Sequence, residues 1–197
     1  MNAIVAVDQN WAIGHENDLL FSLPGDMKHF RTLTSGGTVI MGRKTLDSFP
    51  EGKPLPNRRN IVITRNEDFQ REGCEIVGSP EAALELAAGT PDEQLWIIGG
   101  GSVYTTLLSR CKRVYLTKVD AAAPETDTYF PNLDKLPTWE VESSSETYEE
   151  NGLTYFVRAI PYNFYSLLTI VMIITITLMK FDYGPMAIHE RNAMNGD

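Results

Sequence analysis

The sequence predicts an α/β fold: a central, mostly parallel sheet with an antiparallel C-terminal edge and helices on both faces. Three observations lead there. Short apolar runs at Ile4–Asp8, Thr38–Met41, Ile61–Thr64 and Leu95–Ile98 alternate with helix-like stretches, the pattern of strand–helix–strand units. Leu95-Trp96-Ile97-Ile98 is apolar at every position, as suits a parallel strand covered on both sides. Toward the end, Trp139–Glu142 and Thr154–Ile160 flank Glu150-Asn151-Gly152, a turn suited to joining antiparallel neighbours. A chain of 197 residues has room for one such domain and an appendage.

Taken in order, Ile4-Val5-Ala6-Val7-Asp8 is a buried strand opening into a loop from Gln9 to Leu23, which carries Gly14 and Asn17 and little periodicity. A structureless stretch of that length inside a compact domain is uncommon and usually functional. Pro24 suits the first turn of a helix, because the amide it lacks would have no partner there. From that start Asp26, Phe30 and Leu33 fall on one face with Met27 beside them, which puts a single carboxylate on an apolar stripe. Such an acid is costly to ionise and is therefore either a hydrogen-bonded structural group or a chemical one. The helix fades at Ser35-Gly36-Gly37.

The strand Thr38–Met41 stops at Gly42, and Arg43-Lys44-Thr45 opens a short helix whose free amides, hydroxyl and two cations make a natural anion site. A P-loop reading of Gly37 to Thr45 fails: Arg43 displaces the lysine by one position, and strand fills the space between the glycines. Pro54–Asn60 is a rigid turn presenting Arg58 and Arg59, for which a solvated turn is the simpler reading; Ile61–Thr64 follows, with Arg65 at its end. Ser79 before Pro80 reads as the N-cap of a helix over Ala82–Ala88. Leu95–Ile98 runs into Gly99-Gly100-Gly101-Ser102 and a helix from Val103 to Leu108, and three glycines there let backbone approach a phosphate closely. A Rossmann fingerprint, helped by Asp120, is opposed by Tyr104 at the third-glycine position and by the short chain that follows. Val114–Val119 alternates as a strand, with a loop at Asp127–Pro131.

The net charge of −9 argues against nucleic acid as the main partner. Arg43, Lys44, Lys53, Arg58, Arg59 and Arg65 nevertheless form one basic segment, suggesting a local site for small anions. Cys74 and Cys111 have no metal spacing and are too few for a disulfide framework, so a reducing, cytoplasmic setting is expected, with no signal peptide at the amino terminus. No metal constellation is expected either: His15 and His29 read as exposed loop and helix residues, and Trp11, Trp96 and Trp139 as packing.

Four landmarks now stand in order: a strand with a long loop to Leu-x-x-Leu-Pro-x-Asp, Val-Ile-Met-Gly-Arg-Lys-Thr, Pro-Leu-Pro-x-Arg-x-Asn-Ile, and Ile-Ile-Gly-Gly-Gly-Ser-Val-Tyr. Together they closely resemble bacterial dihydrofolate reductase, over a domain spanning residues 1–160. The resemblance implies that family's three-layer fold and NADPH-dependent reduction of 7,8-dihydrofolate to 5,6,7,8-tetrahydrofolate in one-carbon metabolism. Hydride passes from the nicotinamide to C6 of the pterin while N5 gains a proton.

By this resemblance Asp26 is the pocket carboxylate that holds the pterin 2-amino group and N3, and Thr117 links that acid and a water to the substrate. Phe21 stands beside them where the family usually has tryptophan, in a loop reading Leu19-Leu20-Phe21 rather than Leu-Pro-Trp. Ile4, Val5, Ala6, Met27, Phe30, Phe49, Leu55 and Ile98 match the apolar walls of the substrate site. Arg58 matches the arginine that grips the α-carboxylate of the glutamyl tail, where planar bidentate pairing favours arginine over lysine.

Gly42, Arg43, Lys44 and Thr45 match the cofactor helix start, and Thr64 and Arg65 the adenosine end, where cations suit a 2′-phosphate and hence NADPH over NADH. Gly99 and Gly100 match a cis glycine pair; Gly101, Ser102, Val103 and Tyr104 match pyrophosphate and nicotinamide contacts, with Ser102 where arginine is common. Ala6, Ile13, Gly14 and Ile98 match the nicotinamide surroundings, Asn17 and Leu19 lie in the loop that closes over it, and Asp127 matches the acid that holds this loop. A monomeric catalytic domain acting on a small molecule is expected. Two alternatives remain: a riboflavin-pathway pyrimidine reductase of the same fold, disfavoured by Asp26 with Arg58, and a membrane-tethered, non-catalytic pterin- or nucleotide-binding module, disfavoured by intact Asp26, Thr117 and Gly99-Gly100.

The resemblance does not explain residues 161–197. No charge lies between Arg158 and Lys180, and the apolar core Phe164–Met179 would span roughly 24 Å as a helix, short of the ~30 Å hydrocarbon layer unless flanking residues contribute. A transmembrane segment at 163–181 and an aggregation-prone apolar tail are the two readings. The polar segment Lys180–Asp197 faintly resembles a transporter loop, which suits a fused or frame-shifted reading frame.

Overall fold

The computed structural model describes residues 1–162, which form one compact unit; the extension with its proposed 163–181 segment lies outside the described residues. The chain begins with β1 (Asn2–Val7), a short hairpin of β2 (Ala12–His15) and β3 (Asp18–Leu19), and α1 (Pro24–Thr34). Then come β4 (Thr38–Gly42), α2 (Arg43–Asp47), β5 (Arg59–Ile63), β6 (Cys74–Val77), α3 (Pro80–Leu86), β7 (Leu95–Gly99), α4 (Gly101–Leu107) and β8 (Arg113–Val119). The described chain closes with β9 (Thr128–Tyr129), β10 (Ser143–Ser144), β11 (Tyr148–Glu150) and β12 (Leu153–Pro161).

The main sheet runs β10-β12-β8-β1-β7-β4-β5-β6, with β11 also paired to β12. From β8 to β6 every neighbouring pair is parallel, and β12 lies antiparallel along the whole of β8. The central stretches of the inner strands are largely apolar because they are covered twice. Ala3, Val5, Val7, Ile40, Ile61 and Ile97 face one side, where Ala83 of α3 and Val103, Tyr104 and Leu107 of α4 pack on them. Ile4, Val39, Met41, Val62 and Trp96 face the other, against Leu46 of α2 and Phe30 and Leu33 of α1. The strand period of two thus distributes one run of residues between two cores, giving a helix–sheet–helix sandwich. Each fully buried Ile, Val or Leu contributes about 1.5–3 kcal/mol through burial.

Local signals behave as their chemistry requires. Pro24 lies in the first turn of α1. Ser79 Oγ accepts the Ala82 amide at 3.1 Å as the N-cap of α3, which begins at Pro80 and ends at Leu86, two residues earlier than expected at each end. Trp11, Trp96 and Trp139 are buried packing residues. His15 and His29, expected to be exposed, are half-buried.

Two differences bear on the site. The loop from Gln9 to Leu23 is not structureless: β2 and β3 form a hairpin, and β2 also pairs with β9 to make a second, three-stranded sheet. Its turn residues Glu16 and Asn17 both have positive φ, the backbone of a two-residue primed turn whose pairing overrides the weak sequence period. At the C-terminal edge, β12 pairs with β8, β10 and β11, while residues 139–142 form no strand beyond a single bridge from Trp139 to Tyr162.

Candidate active site

The sheet opens at its centre. β1 and β7 pair only at Asn2–Trp96 and Ala3–Ile97, whereas β1 stays paired with β8 as far as Val7–Lys118 and β7 stays with β4. Beyond those two pairs the carboxyl ends of β1 and β7 are released from each other, at the point where the chain order reverses. An open α/β sheet places its ligand crevice at such a switch point. A cavity of about 1120 Å³ lies there, lined by Ala6 from β1 and by Ile98, Gly99 and Gly100 from β7 and its exit.

One end of the cavity is apolar with a single acid. Ile4, Val5, Phe21, Met27, Phe30 and Phe49 contribute walls, and Asp26 projects from the first turn of α1. Thr117 on β8, 2 % exposed, is the Cα partner of Ala6 and donates its hydroxyl to Asp26 Oδ1 at 2.5 Å. Burial pushes the Asp26 carboxyl above the usual carboxylate range; the Thr117 hydroxyl and His29 pull it back, and Glu150 pushes it up.

The other end is built from backbone and cations. Gly42 and Gly100 are the N-cap residues of α2 and α4, neither has a side-chain cap, and they lie side by side. First-turn amides of both helices therefore remain available to an anion. The Gly99–Gly100 peptide is cis, as expected by resemblance, and Gly99 has φ of +139°. A Cβ at Gly99 would come within 2.9 Å of Thr45 Oγ1, so only glycine lets this turn close. Arg43, Lys44, Thr64 and Arg65 line the same end, with Arg43 also lying 5.8 Å over the Phe69 ring.

The β2–β3 hairpin edges the cavity through Ile13, Gly14, Asn17 and Leu19. Asp127, itself at the cavity, accepts the Glu16 amide at 2.9 Å, donates its own amide to Gly14 O at 3.2 Å, and accepts the Thr128 hydroxyl at 2.6 Å. The Thr128 and Glu16 hydrogen bonds hold its carboxyl below the usual range.

The expected residues converge on this cavity, with three standing just behind its wall. Thr117 reaches it through Asp26. Leu55 packs in the apolar cluster with Phe30 and Phe49. Arg58 donates to Thr34 Oγ1 and Pro56 O at 3.0 Å each and lies 5.7 Å over the Phe30 ring. Its turn is tied down by buried Asn60, which donates to Leu55 O and Arg58 O and accepts the Leu55 amide. Ser102, Val103 and Tyr104 line the cavity, and the buried Tyr104 hydroxyl donates to Ile4 O at 2.6 Å.

Sequence reasoning missed Ser48, Pro50, Gly78, Pro80, Glu81 and Thr128 as lining residues. Ser48 and Pro50 flank Phe49 and were reachable by adjacency. Gly78-Ser79-Pro80 carried only a helix-cap signal, which says nothing about which cavity the cap borders.

A three-layered α/β sandwich with a carboxylate at the apolar end of a long cleft and a glycine-and-cation cradle at the other suits an enzyme for two ligands, one of them anionic. The family model for dihydrofolate reductase matches residues 1–163, and the chain belongs to that family. It is 38 % identical over 159 residues to dihydrofolate reductase of Bacillus subtilis, covering 81 % of this chain and 91 % of the relative. With the Mycobacterium tuberculosis dihydrofolate reductase it shares 41 % over 146 residues, 73 % of this chain and 86 % of the relative. Among solved structures, a dihydrofolate reductase from Enterococcus faecalis complexed with NADP(H) and RAB-propyl superposes with a TM-score of 0.74 at 32 % identity, covering 82 % of this chain and 95 % of that one.

Proposed function

We propose that residues 1–160 are the catalytic domain of an NADPH-dependent dihydrofolate reductase, converting 7,8-dihydrofolate and a proton to 5,6,7,8-tetrahydrofolate. The observation that carries this reading is the Thr117–Asp26 hydrogen bond in the apolar end of a cleft whose far end is the Gly99–Gly100 cradle. Family membership and the NADP(H)-bound relative support the cofactor. When bound, the cofactor supplies the hydride for C6 of the pterin.

The residues present fit that cofactor. The missing Cβ at Gly99, the uncapped amides of α2 and α4, and Arg43, Lys44 and Arg65 together suit a pyrophosphate and a 2′-phosphate. Gly101, Ser102 and Thr45 would hold the phosphates, and Ala6, Ile13, Gly14 and Ile98 the nicotinamide. Ile4, Val5, Met27, Phe30 and Phe49 exclude water and hold the reacting carbons near each other, which is what hydride transfer needs.

Asp26 is the carboxylate set among these apolar walls and orients the pterin through its 2-amino group and N3. Because burial favours its neutral form, it holds a proton to higher pH than an exposed acid and assists protonation at N5. Thr117 fixes the carboxyl and leaves Oδ2 for substrate. Arg58, seated on Phe30 and Thr34 at the outer end, would bind the glutamyl α-carboxylate.

The test is NADPH oxidation in the presence of dihydrofolate, with NADH and Asp26→Asn as controls. Rapid oxidation of NADPH, little of NADH, and collapse of the rate in Asp26→Asn are expected. Absence of dihydrofolate-dependent oxidation would overturn the reading. No helix among the described residues is long and apolar enough to cross a membrane. A membrane tether therefore rests on 163–181 alone, and this proposal assigns none of the chemistry to that segment.

A further inference from the structure

α1 must hold Asp26 in place, yet it has no cap of its own. Its N-cap residue is Leu23, which offers no side-chain acceptor, and Pro24 brings no amide. The first amide that needs a partner is that of Gly25, and it donates to Glu150 Oε2 at 2.8 Å across 125 positions of sequence. Glu150 ends β11 and lies at the tip of the hairpin with β12, turned by Asn151 and Gly152, both with positive φ. The same tip makes a second tether: Asn151 Nδ2 donates to Ser22 O at 3.0 Å. Packing here is close: a Cβ at Gly25 would meet the Tyr155 hydroxyl and stand 3.1 Å from Glu150 Oε2, so those side-chain ends would have to move. A carboxylate on a first-turn amide is also the charge that a helix N-terminus favours.

We propose that Glu150 is a positioning residue for the reaction: through the Gly25 amide it seats the first turn of α1, and with it Asp26, against β8. The proposal rests on the reading of Asp26 as the pterin anchor. It also adds an electrostatic consequence. The titratable and charged groups facing Asp26 are His29 on its own helix, Tyr104 on α4, Glu150 on β11 and Tyr155 on β12, with the neutral donor Thr117 on β8. Glu150 is the one other carboxylate in this set, so its charge works against ionisation of Asp26.

Glu150→Gln keeps an oxygen that accepts the Gly25 amide and removes the charge; Glu150→Ala removes both. The readout is the titration of Asp26 in the ligand-free protein, followed by carboxyl 13C NMR and assigned with Asp26→Asn, alongside KM and kcat for dihydrofolate. In Glu150→Gln the Asp26 titration moves to lower pH while KM stays native. In Glu150→Ala the titration moves likewise and KM rises by up to roughly fivefold, the weight of one lost helix cap. An Asp26 titration unmoved in Glu150→Gln overturns the electrostatic half. A native KM in Glu150→Ala, with only its melting temperature lowered, reduces Glu150 to a structural cap and overturns the positioning half. Full activity in Asp26→Asn would instead sink the functional reading, an outcome independent of how Asp26 titrates in Glu150→Gln.

Discussion

Asp26→Asn separates chemistry from stability at the same atom pair. Asparagine matches aspartate in shape and keeps an oxygen that can accept the Thr117 hydroxyl, so the change removes charge with little change in packing. Burial raises the Asp26 pKa above its ordinary 3.8. The native state thus binds this proton more tightly than the unfolded chain does. Stability from this proton is fullest below 3.8, declines as pH rises through the folded pKa, and stays reduced above it.

Neutral asparagine escapes that decline. The variant is therefore expected to be more stable than wild type at about pH 8, by about 1.4 kcal/mol for each unit that burial raises the pKa, with the gap closing in acid. Each kcal/mol corresponds to roughly 2–4 °C in Tm for a chain of this size. The rate moves the other way. Loss of the acid is expected to lower single-turnover hydride transfer by ~10²–10⁴-fold at neutral pH, the usual weight of a positioned acid. Thermal melts across pH and stopped-flow NADPH fluorescence read the two effects. A variant that transfers hydride at the wild-type rate, or whose stability gain is the same in acid as in base, would refute the argument.

Three further outcomes follow. Thr117→Val removes a buried donor without changing shape, so the Asp26 titration moves to higher pH and KM for dihydrofolate rises by roughly ten- to a hundredfold, as for a lost hydrogen bond to a charge; an unmoved titration would show that the hydroxyl does not govern the acid. Gly99→Ala drives a methyl to 2.9 Å from Thr45 Oγ1 at a positive-φ position, and fluorescence titration is expected to show NADPH binding weakened by about tenfold or more. A chain ending at Tyr162 keeps the whole described unit and is expected to retain kcat/KM within about twofold, while fractionating the full-length chain from a detergent-free lysate reads any tether: activity wholly in the supernatant ends that idea.

Much of the site was legible because its signals are local. Gly42-Arg43-Lys44-Thr45 and Gly99-Gly100-Gly101 announce helix starts with open amides through residue type alone, and Pro24 with Asp26, Phe30 and Leu33 fixes both a helix and the face that carries its acid. The ordered landmarks then supplied roles that spacing could not. What stayed hidden depends on distant pairing. The three-stranded sheet at β2 uses strands too short to show a period, and β9 joins it from over a hundred residues away. By residue type alone Arg58 read as a solvated turn, and only the resemblance gave it a ligand, because nothing near it in sequence names Thr34 and Phe30 as its neighbours. Glu150 showed only as a turn residue, since its partner amide belongs to a helix at the other end of the domain.

The position of the cleft illustrates the same limit and its physical cause. β1 and β7 are both apolar, both parallel and both central, and nothing in either run says that they should part after two residue pairs. The reason lies on their outer flanks. β1 continues along β8 through Thr117 and Lys118, while β4 shifts register against β7 between Ile40 and Met41 so that Met41 meets Gly99. Each strand keeps its ladder on the far side, and the near side is open. Ala6 and Ile98 are thereby turned from interior strand residues into walls, and Thr117, opposite Ala6, is brought under Asp26. The acid, its donor and the cradle glycines meet where the central ladder opens; the backbone groups that β1 and β7 turn toward the gap need partners other than the outer ladders, and Ile4 O takes the Tyr104 hydroxyl.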